Sequence, residues 1–232
     1  TSLYAGLYKL NDASRNILTV EDPIEYDVEG VGQTQVNLKA SMTFAKGLRA
    51  ILRQDPDVVM VGEIRDYETA DIAVQASLTG HLVLSTLHTN TAIGAITRLA
   101  NMGVQPYLLS NSVAGLIAQR LVRVLCRHCK QAYQADEYEK KFLKLSIRKK
   151  QTLYRARGCE QCAFEGYRGR MGIYEVIIID DEISRMIHSG ASEQEMEAQA
   201  RKSTSGIRTD GRLKVLSGET TIDEILRVTM DD

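Results

Sequence analysis

Three short apolar runs constrain the fold of this chain more than any other feature. Residues 16–21 (NILTVE), 57–63 (DVVMVGE) and 81–87 (HLVLSTL) are rich in Val, Ile and Leu and do not alternate cleanly between apolar and polar positions. A strand wetted on one face alternates with period two, whereas a strand covered on both faces reads as continuously apolar. The three runs are therefore expected to be strands of a parallel sheet buried between helices. The intervening stretches agree. In 43–54, Phe44, Leu48, Ile51 and Leu52 fall on one helix face. Asp66 is placed to cap a helix running to Leu78, with Gly80 as its stop. Helices are also expected over 2–10, 92–102 and 106–125, the last opened by Pro106. Strands alternating with such helices give βαβ units and a doubly wound α/β sheet.

From Cys126 the texture changes. The four cysteines of the chain form two CxxC knuckles, Cys126-Arg127-His128-Cys129 and Cys159-Glu160-Gln161-Cys162. Four thiolates in this arrangement suit a closed tetrahedral site for one structural Zn²⁺, although the excursion between the knuckles is longer than in common zinc ribbons. Two other uses compete. Paired disulfides need an oxidising compartment, and a redox CxxC explains one pair but not two. His128 is read as a bystander. The metal would close an excursion too poor in apolar residues to fold alone. Within that excursion, 136–150 reads as an exposed helix. A Gly/Arg-rich turn (166–172) and an apolar run (173–179) follow, then helices opened by two capping boxes, Ser192-x-x-Glu195 and Thr221-x-x-Glu224.

Composition narrows the partners. A net charge of −1 provides no global field for nucleic acid or anionic lipid, and aromatic–basic clusters are absent. The longest apolar runs, such as 176–179, fall far short of the roughly 20 residues that span a bilayer. No signal peptide is visible, and the chain opens on Thr1 rather than Met, so it is expected to be a piece of a longer cytosolic protein.

The chemistry is expected at the strand ends. The first run leads into Glu21-Asp22-Pro23-Ile24-Glu25, the second ends in Glu63, and His81 and His88 flank the third. Ligands of open α/β sheets bind beyond the carboxyl ends of strands, and an apolar strand delivering an acid there is the pattern of a Walker B element. A lone strand-end glutamate is more often a solvated loop residue, and a lone histidine beside a strand is more often structural. Three such features on neighbouring strands, expected at one sheet edge, favour a site. The phosphate-cradling G-x-x-x-x-G-K-[ST] occurs nowhere in the 232 residues.

These residues resemble the secretion ATPase superfamily, most closely its type II secretion branch, with the type IV pilus assembly ATPases as the alternative. The aspartate box matches 17–25, Walker B 52–66 (LRQDPDVVMVGEIRD), the histidine box 78–90, the tetracysteine element 126–162 with the turn GYRGRMGIY, and the tail 206–228. In that family the P-loop Lys-Ser runs directly into a Thr-x-Leu-Tyr-Ala helix like residues 1–5, which places the start of this chain just after the P-loop serine. The resemblance implies an α/β, RecA-like P-loop NTPase core truncated at its N-terminus (1–125), a tetracysteine zinc-binding subdomain (126–172) and a helical C-terminal subdomain (173–232). Glu63 would be the Walker B acid acting on Mg²⁺ and the hydrolytic water. Glu25 would position that water, and His81 and His88 would sense the γ-phosphate. Glu21 and Asp22 would order the site, and Thr1 and Arg65 would lie beside the nucleotide. Arg49, Arg53 and Arg65, beside Walker B, could meet phosphate or an adjacent subunit and are read equally well as solvated helix charges and ion pairs. The complete protein is expected to hydrolyse ATP as a homohexamer in the cytoplasm. It would be attached peripherally to inner-membrane platform proteins and would drive pseudopilus assembly and protein export without nucleic acid. The isolated piece, lacking Walker A, is expected to be inactive or to serve only as a zinc-containing assembly module.

Overall fold

A computed structural model describes residues 2–229; Thr1, expected beside the nucleotide, lies outside the described residues. The elements in chain order are α1 (Ser2–Leu10), β1 (Ile17–Glu21), β2 (Val31–Gln35), α2 (Phe44–Ile51), β3 (Val58–Val61), α3 (Tyr67–Leu78), β4 (Leu82–Ser85), α4 (Gly94–Asn101), α5 (Pro106–Ser112), β5 (Gly115–Leu125), β6 (Gln131–Gln134), α6 (Glu137–Phe142), β7 (Thr152–Arg155), β8 (Tyr167–Ile178), α7 (Asp181–His188), α8 (Glu193–Ala200), α9 (Ile207–Leu216) and α10 (Ile222–Thr229). No helix among the described residues is long and apolar enough to cross a membrane. They form two compact units. One takes the chain up to Thr89 together with Ile93–Ala114 and Ile179–Met196; the other takes Asn90–Ala92, Gly115–Ile178 and the chain from Glu197 onward.

The first unit is an α/β fold on a four-stranded, all-parallel sheet in the order β2-β1-β3-β4. The three strands expected from their apolar runs are β1, β3 and β4. β3 is buried along its whole length, as its VVMV sequence requires. Leu7 of α1 packs with Ile17, Val58 and Met60 on one face. On the other face α2 lies so close to β1 that a Cβ on Gly47 would come within 2.8 Å of Val20 Cγ1. α2 is capped by Thr43 and α3 by Asp66, whose side chains accept from the N–H groups of Lys46 and Thr69.

The second unit is built on a long antiparallel ribbon of β5 and β8, with an irregularity between Arg123 and Leu125. β6 and β7 form a second antiparallel pair. Its core joins Val122, Leu143, Leu153, Ile173, Val215 and Ile225. Three local expectations are corrected here. Residues 106–125 are not one helix: α5 stops at Ser112, and the remainder is β5, paired with β8 from Gly115↔Ile178 onward. The helix expected over 136–150 is only α6, opened by an Asp136/Glu139 capping box. The Ser192/Glu195 box closes as expected, but Thr221/Glu224 closes only half, because the Glu224 carboxylate turns to Arg123 and Arg227 instead.

Candidate active site and metal centre

Parallel strands deliver their carboxyl ends to one edge, and the loops leaving β1, β3 and β4 are joined there by hydrogen bonds. Gly62 N–H donates to Val20 C=O at 2.8 Å, Thr86 Oγ1 donates to Gly62 C=O at 2.7 Å, and Ile64 N–H donates to Thr86 C=O at 3.1 Å. The turn at Gly62 brings in Glu63, which is only 9% exposed. One of its carboxylate oxygens meets Arg65 Nη2 at 2.5 Å; the other meets His88 Nε2 at 3.2 Å. Both partners are largely solvated, with side chains 65% and 84% exposed. Each can therefore release the carboxylate at little cost, toward a cation or a water entering the edge. Glu63, and Asp22 beyond it, hold the Arg65 guanidinium above its ordinary pKa.

At the end of β1, Glu21 is buried and its carboxylate is fully engaged. It accepts from Tyr4 Oη, from Thr19 Oγ1 at 2.6 Å and from Gln33 Nε2 at 3.0 Å. Burial, followed by the hydrogen bond to Glu21, raises the Tyr4 phenol above its ordinary pKa. Asp22 and Glu25 are exposed on the loop that follows. The edge thus brings together Glu63, Arg65 and His88, with Glu21, Asp22 and Glu25 on the adjoining strand end and loop. It does not bring in His81, which was expected at the same edge. His81 precedes β4, so the direction of the strand puts it at the opposite end of the sheet, where its Nδ1 lies 2.9 Å from Ala76 C=O at the close of α3. Arg49 pairs with Glu68 at 2.6 Å. Tyr4 and Gln33 were not anticipated as site residues. The available signal was a tyrosine on the Leu3/Leu7/Leu10 face of an apolar helix, since a buried phenol needs a polar partner.

In the second unit the four cysteine sulfurs all lie within 4.8 Å of one another. The separations Cys126–Cys159, Cys129–Cys162 and Cys159–Cys162 are 3.9, 3.8 and 3.8 Å. Disulfides would need about 2.0 Å, whereas a tetrahedron with metal–sulfur bonds of about 2.3 Å has edges of about 3.8 Å. The cluster therefore has the geometry of a metal site. Burial pushes the Cys162 thiol up, but the N–H groups of Cys159 and Gly166, at 3.3 and 3.2 Å, outweigh it and hold the thiol near a pKa of about 7. Burial and the neighbouring Cys129 sulfur raise Cys159 to about 11. Gly166 is required at the knuckle: its φ is +79°, and a Cβ would sit 2.6 Å from Ala156 Cβ. Lys130 anchors the first knuckle to the turn between α9 and α10, donating to Gly218 C=O at 2.8 Å across the Tyr154 ring.

A catalytic-looking acid at a parallel sheet edge and a separate tetracysteine centre are two independent features. The model of one family, described as Type II/IV secretion system protein, matches residues 1–227. The chain belongs to that family. Type II secretion system protein E of Pseudomonas aeruginosa is 66% identical over 232 residues, and type II secretion system ATPase E of Vibrio cholerae is 60% identical over 231. Both alignments cover 100% of this chain and 46% of the relative, so the chain spans about half the length of the curated relatives it matches. Among solved structures, the pilus retraction motor PilT with bound ADP superposes with a TM-score of 0.72 at 28% identity, over 99% of this chain and 57% of that one. The ATPase DotB of Legionella pneumophila shares the fold, with a TM-score of 0.68 at 21% identity over 100% of this chain and 57% of its own.

Proposed function

We propose that the full-length protein hydrolyses ATP as the motor of type II secretion, and that Glu63 is its principal catalytic acid. The observation that carries this reading is the buried Glu63 carboxylate at the carboxyl edge of the sheet, held by two side chains that solvent can readily replace. A bound Mg²⁺ would neutralise charge on the β- and γ-phosphates, with Glu63 as the acid of this chain placed to face it. Glu25, exposed on the loop after β1, orients the attacking water. His88 exchanges between Glu63 and the γ-phosphate, reporting nucleotide state. Arg65 shields Glu63 until substrate arrives, Asp22 draws Arg65, and Glu21 orders the loop. His81, bonded beside Ala76 C=O at the close of α3, would act on turnover through that helix end. Thr1 is assigned to the nucleotide by resemblance alone.

The tetracysteine centre holds one structural Zn²⁺, a reading supported by the four-thiolate donor set and its tetrahedral spacing. The resemblance assigns residues 1–125, 126–172 and 173–232 as motor core, zinc-binding element and helical tail, although β5 and β8 pair with each other across both boundaries and Ile179–Met196 groups with the first unit. The motor works as a cytoplasmic homohexamer on inner-membrane platform proteins. The type II relatives support this branch over pilus assembly. In the full-length protein, Glu63→Gln is expected to abolish ATP turnover while nucleotide binding is retained. Wild-type turnover by that variant would sink the assignment.

A further inference from the structure

The loop carrying Glu25 has little backbone structure of its own, yet its polar groups are paired. Ile24 N–H donates to Gln35 Oε1 at 3.4 Å, Val28 N–H to Gln33 Oε1 at 2.8 Å, and Gln33 Nε2 donates to Tyr26 C=O at 3.0 Å. The two amides at the loop's centre, Glu25 N–H and Tyr26 N–H, both donate to Tyr4 Oη, at 3.1 and 3.4 Å. Tyr4 reaches them from α1, where it is 5% exposed, and its ring stands edge-on to that of Tyr26 at 5.3 Å. A phenol has one proton and two lone pairs. Here the O–H donates to Glu21 Oε2, leaving the lone pairs to accept from the two loop amides, with Gln33 Nε2 also approaching at 3.5 Å.

The direction of that hydroxyl is set by charge. An ionised carboxylate can only accept, so Glu21 must accept the hydrogen bond from the tyrosine O–H and thereby fixes which way the lone pairs face. The other two donors to Glu21, Thr19 and Gln33, are neutral, so the Tyr4 hydroxyl is one of three groups compensating a buried negative charge. Without the hydroxyl, the Glu25 and Tyr26 amides lose their acceptor and Glu21 loses a donor together. α1, the end of β1 and the centre of the Glu25 loop therefore meet at one oxygen atom, while Gln33 and Gln35 hold the rest of the loop.

We propose that Tyr4, its hydroxyl aimed by Glu21, is the positioning residue for the Glu25 carboxylate. This rests on the reading of Glu25 as the acid that orients the attacking water. Tyr4 touches no reacting atom, and its effect passes entirely through the placement of residues 25 and 26. Displacement of a catalytic group by about 1 Å costs on the order of a hundredfold in rate.

The test uses the full-length protein and steady-state ATP hydrolysis. Tyr4→Phe keeps the ring and removes one oxygen; it is expected to lower kcat about 10- to 100-fold while KM and nucleotide affinity stay within about twofold. Glu21→Gln, which leaves the ring untouched and removes the charge that aims the hydroxyl, is expected to act in the same direction. In a Glu25→Gln background, Tyr4→Phe should add no further loss, because both act at one point. Amide exchange supplies a readout independent of turnover: Glu25 and Tyr26 are protected in the wild-type protein and lose protection in Tyr4→Phe, while β1 and β3 keep theirs. The proposal is overturned if Tyr4→Phe turns over like wild type while Glu25→Gln and Glu63→Gln are inactive. It is equally overturned if its loss multiplies with that of Glu25→Gln, or if the wild-type amides of residues 25 and 26 exchange freely. Wild-type turnover by Glu25→Gln and Glu63→Gln would instead bring down the reading of the whole site, and this inference with it.

Discussion

Glu224 lies at the start of α10 with its side chain only 2% exposed, between Arg123 of β5 and Arg227 one helical turn on. Arg123 donates from its backbone N–H to Oε2 at 2.8 Å and from Nε and Nη2 to Oε1 at 3.0 and 2.7 Å; Arg227 adds contacts at 3.1 and 2.8 Å. Burial opposes ionisation, but the Arg227 and Arg123 guanidiniums and the Arg123 backbone N–H overcome it and hold the pKa down to about 2, from an ordinary 4.5. Taken whole, that depression corresponds to about 3 kcal/mol of stability. The guanidiniums are 46% and 53% exposed, and solvent screening reduces the expectation to about 2 kcal/mol. Glu224→Gln should therefore cost about 2 kcal/mol at pH 7 by urea denaturation, since an amide cannot match two charge-assisted partners. The pH dependence has a definite sign. A folded-state pKa below the unfolded one gives stability that is present above about 4.5 and is lost as pH falls toward about 2. The gap between wild type and variant should thus be flat from pH 7 to about 5 and shrink by more than half by about pH 3. Acid also releases a thiolate-bound metal from both proteins, so only the difference between them is diagnostic. A gap that stays constant down to pH 3, or one below about 0.5 kcal/mol at pH 7, refutes the reasoning.

Two further outcomes are expected. Cys129→Ser should bind far less than one zinc per chain by metal analysis and lose amide protection in β6 and β7 while β1 and β3 keep theirs; full zinc content in that variant would overturn the four-thiolate assignment. Asp66→Ala removes the cap whose Oδ1 accepts from Thr69 N–H at 2.8 Å and should cost about 1 kcal/mol in urea denaturation, against no change if that hydrogen bond is immaterial.

What the sequence made legible follows from what each segment packs against. β1 and β3 announce themselves because both faces are covered, so their residues have little freedom to be polar. β4, expected to be buried like them, is an apolar edge strand with no fully buried position, and its Leu82 is exposed. β5 does not: LIAQRLVRVL contains good helix formers, and only the register with β8, absent from local pattern, turns it into a strand. β2 was missed for a more instructive reason. VGQTQ is an edge strand with no fully buried position, and it looks like a loop because its side chains serve the neighbouring loop more than the core. Gln33 and Gln35 spend their amides on residues 24–28, and a Cβ on Gly32 would come within 2.5 Å of Leu18 Cδ2, which keeps β2 tight against β1. The histidines make the same point from the other side. His81 and His88 bracket one apolar run almost symmetrically in sequence, yet a parallel strand presents only its carboxyl end to the site. His88 therefore meets Glu63 at 3.2 Å while His81 closes a helix at the far edge. Apolar pattern locates strands that make the core; the polar side chains that aim Glu25 become legible only when strand direction and edge pairing are known.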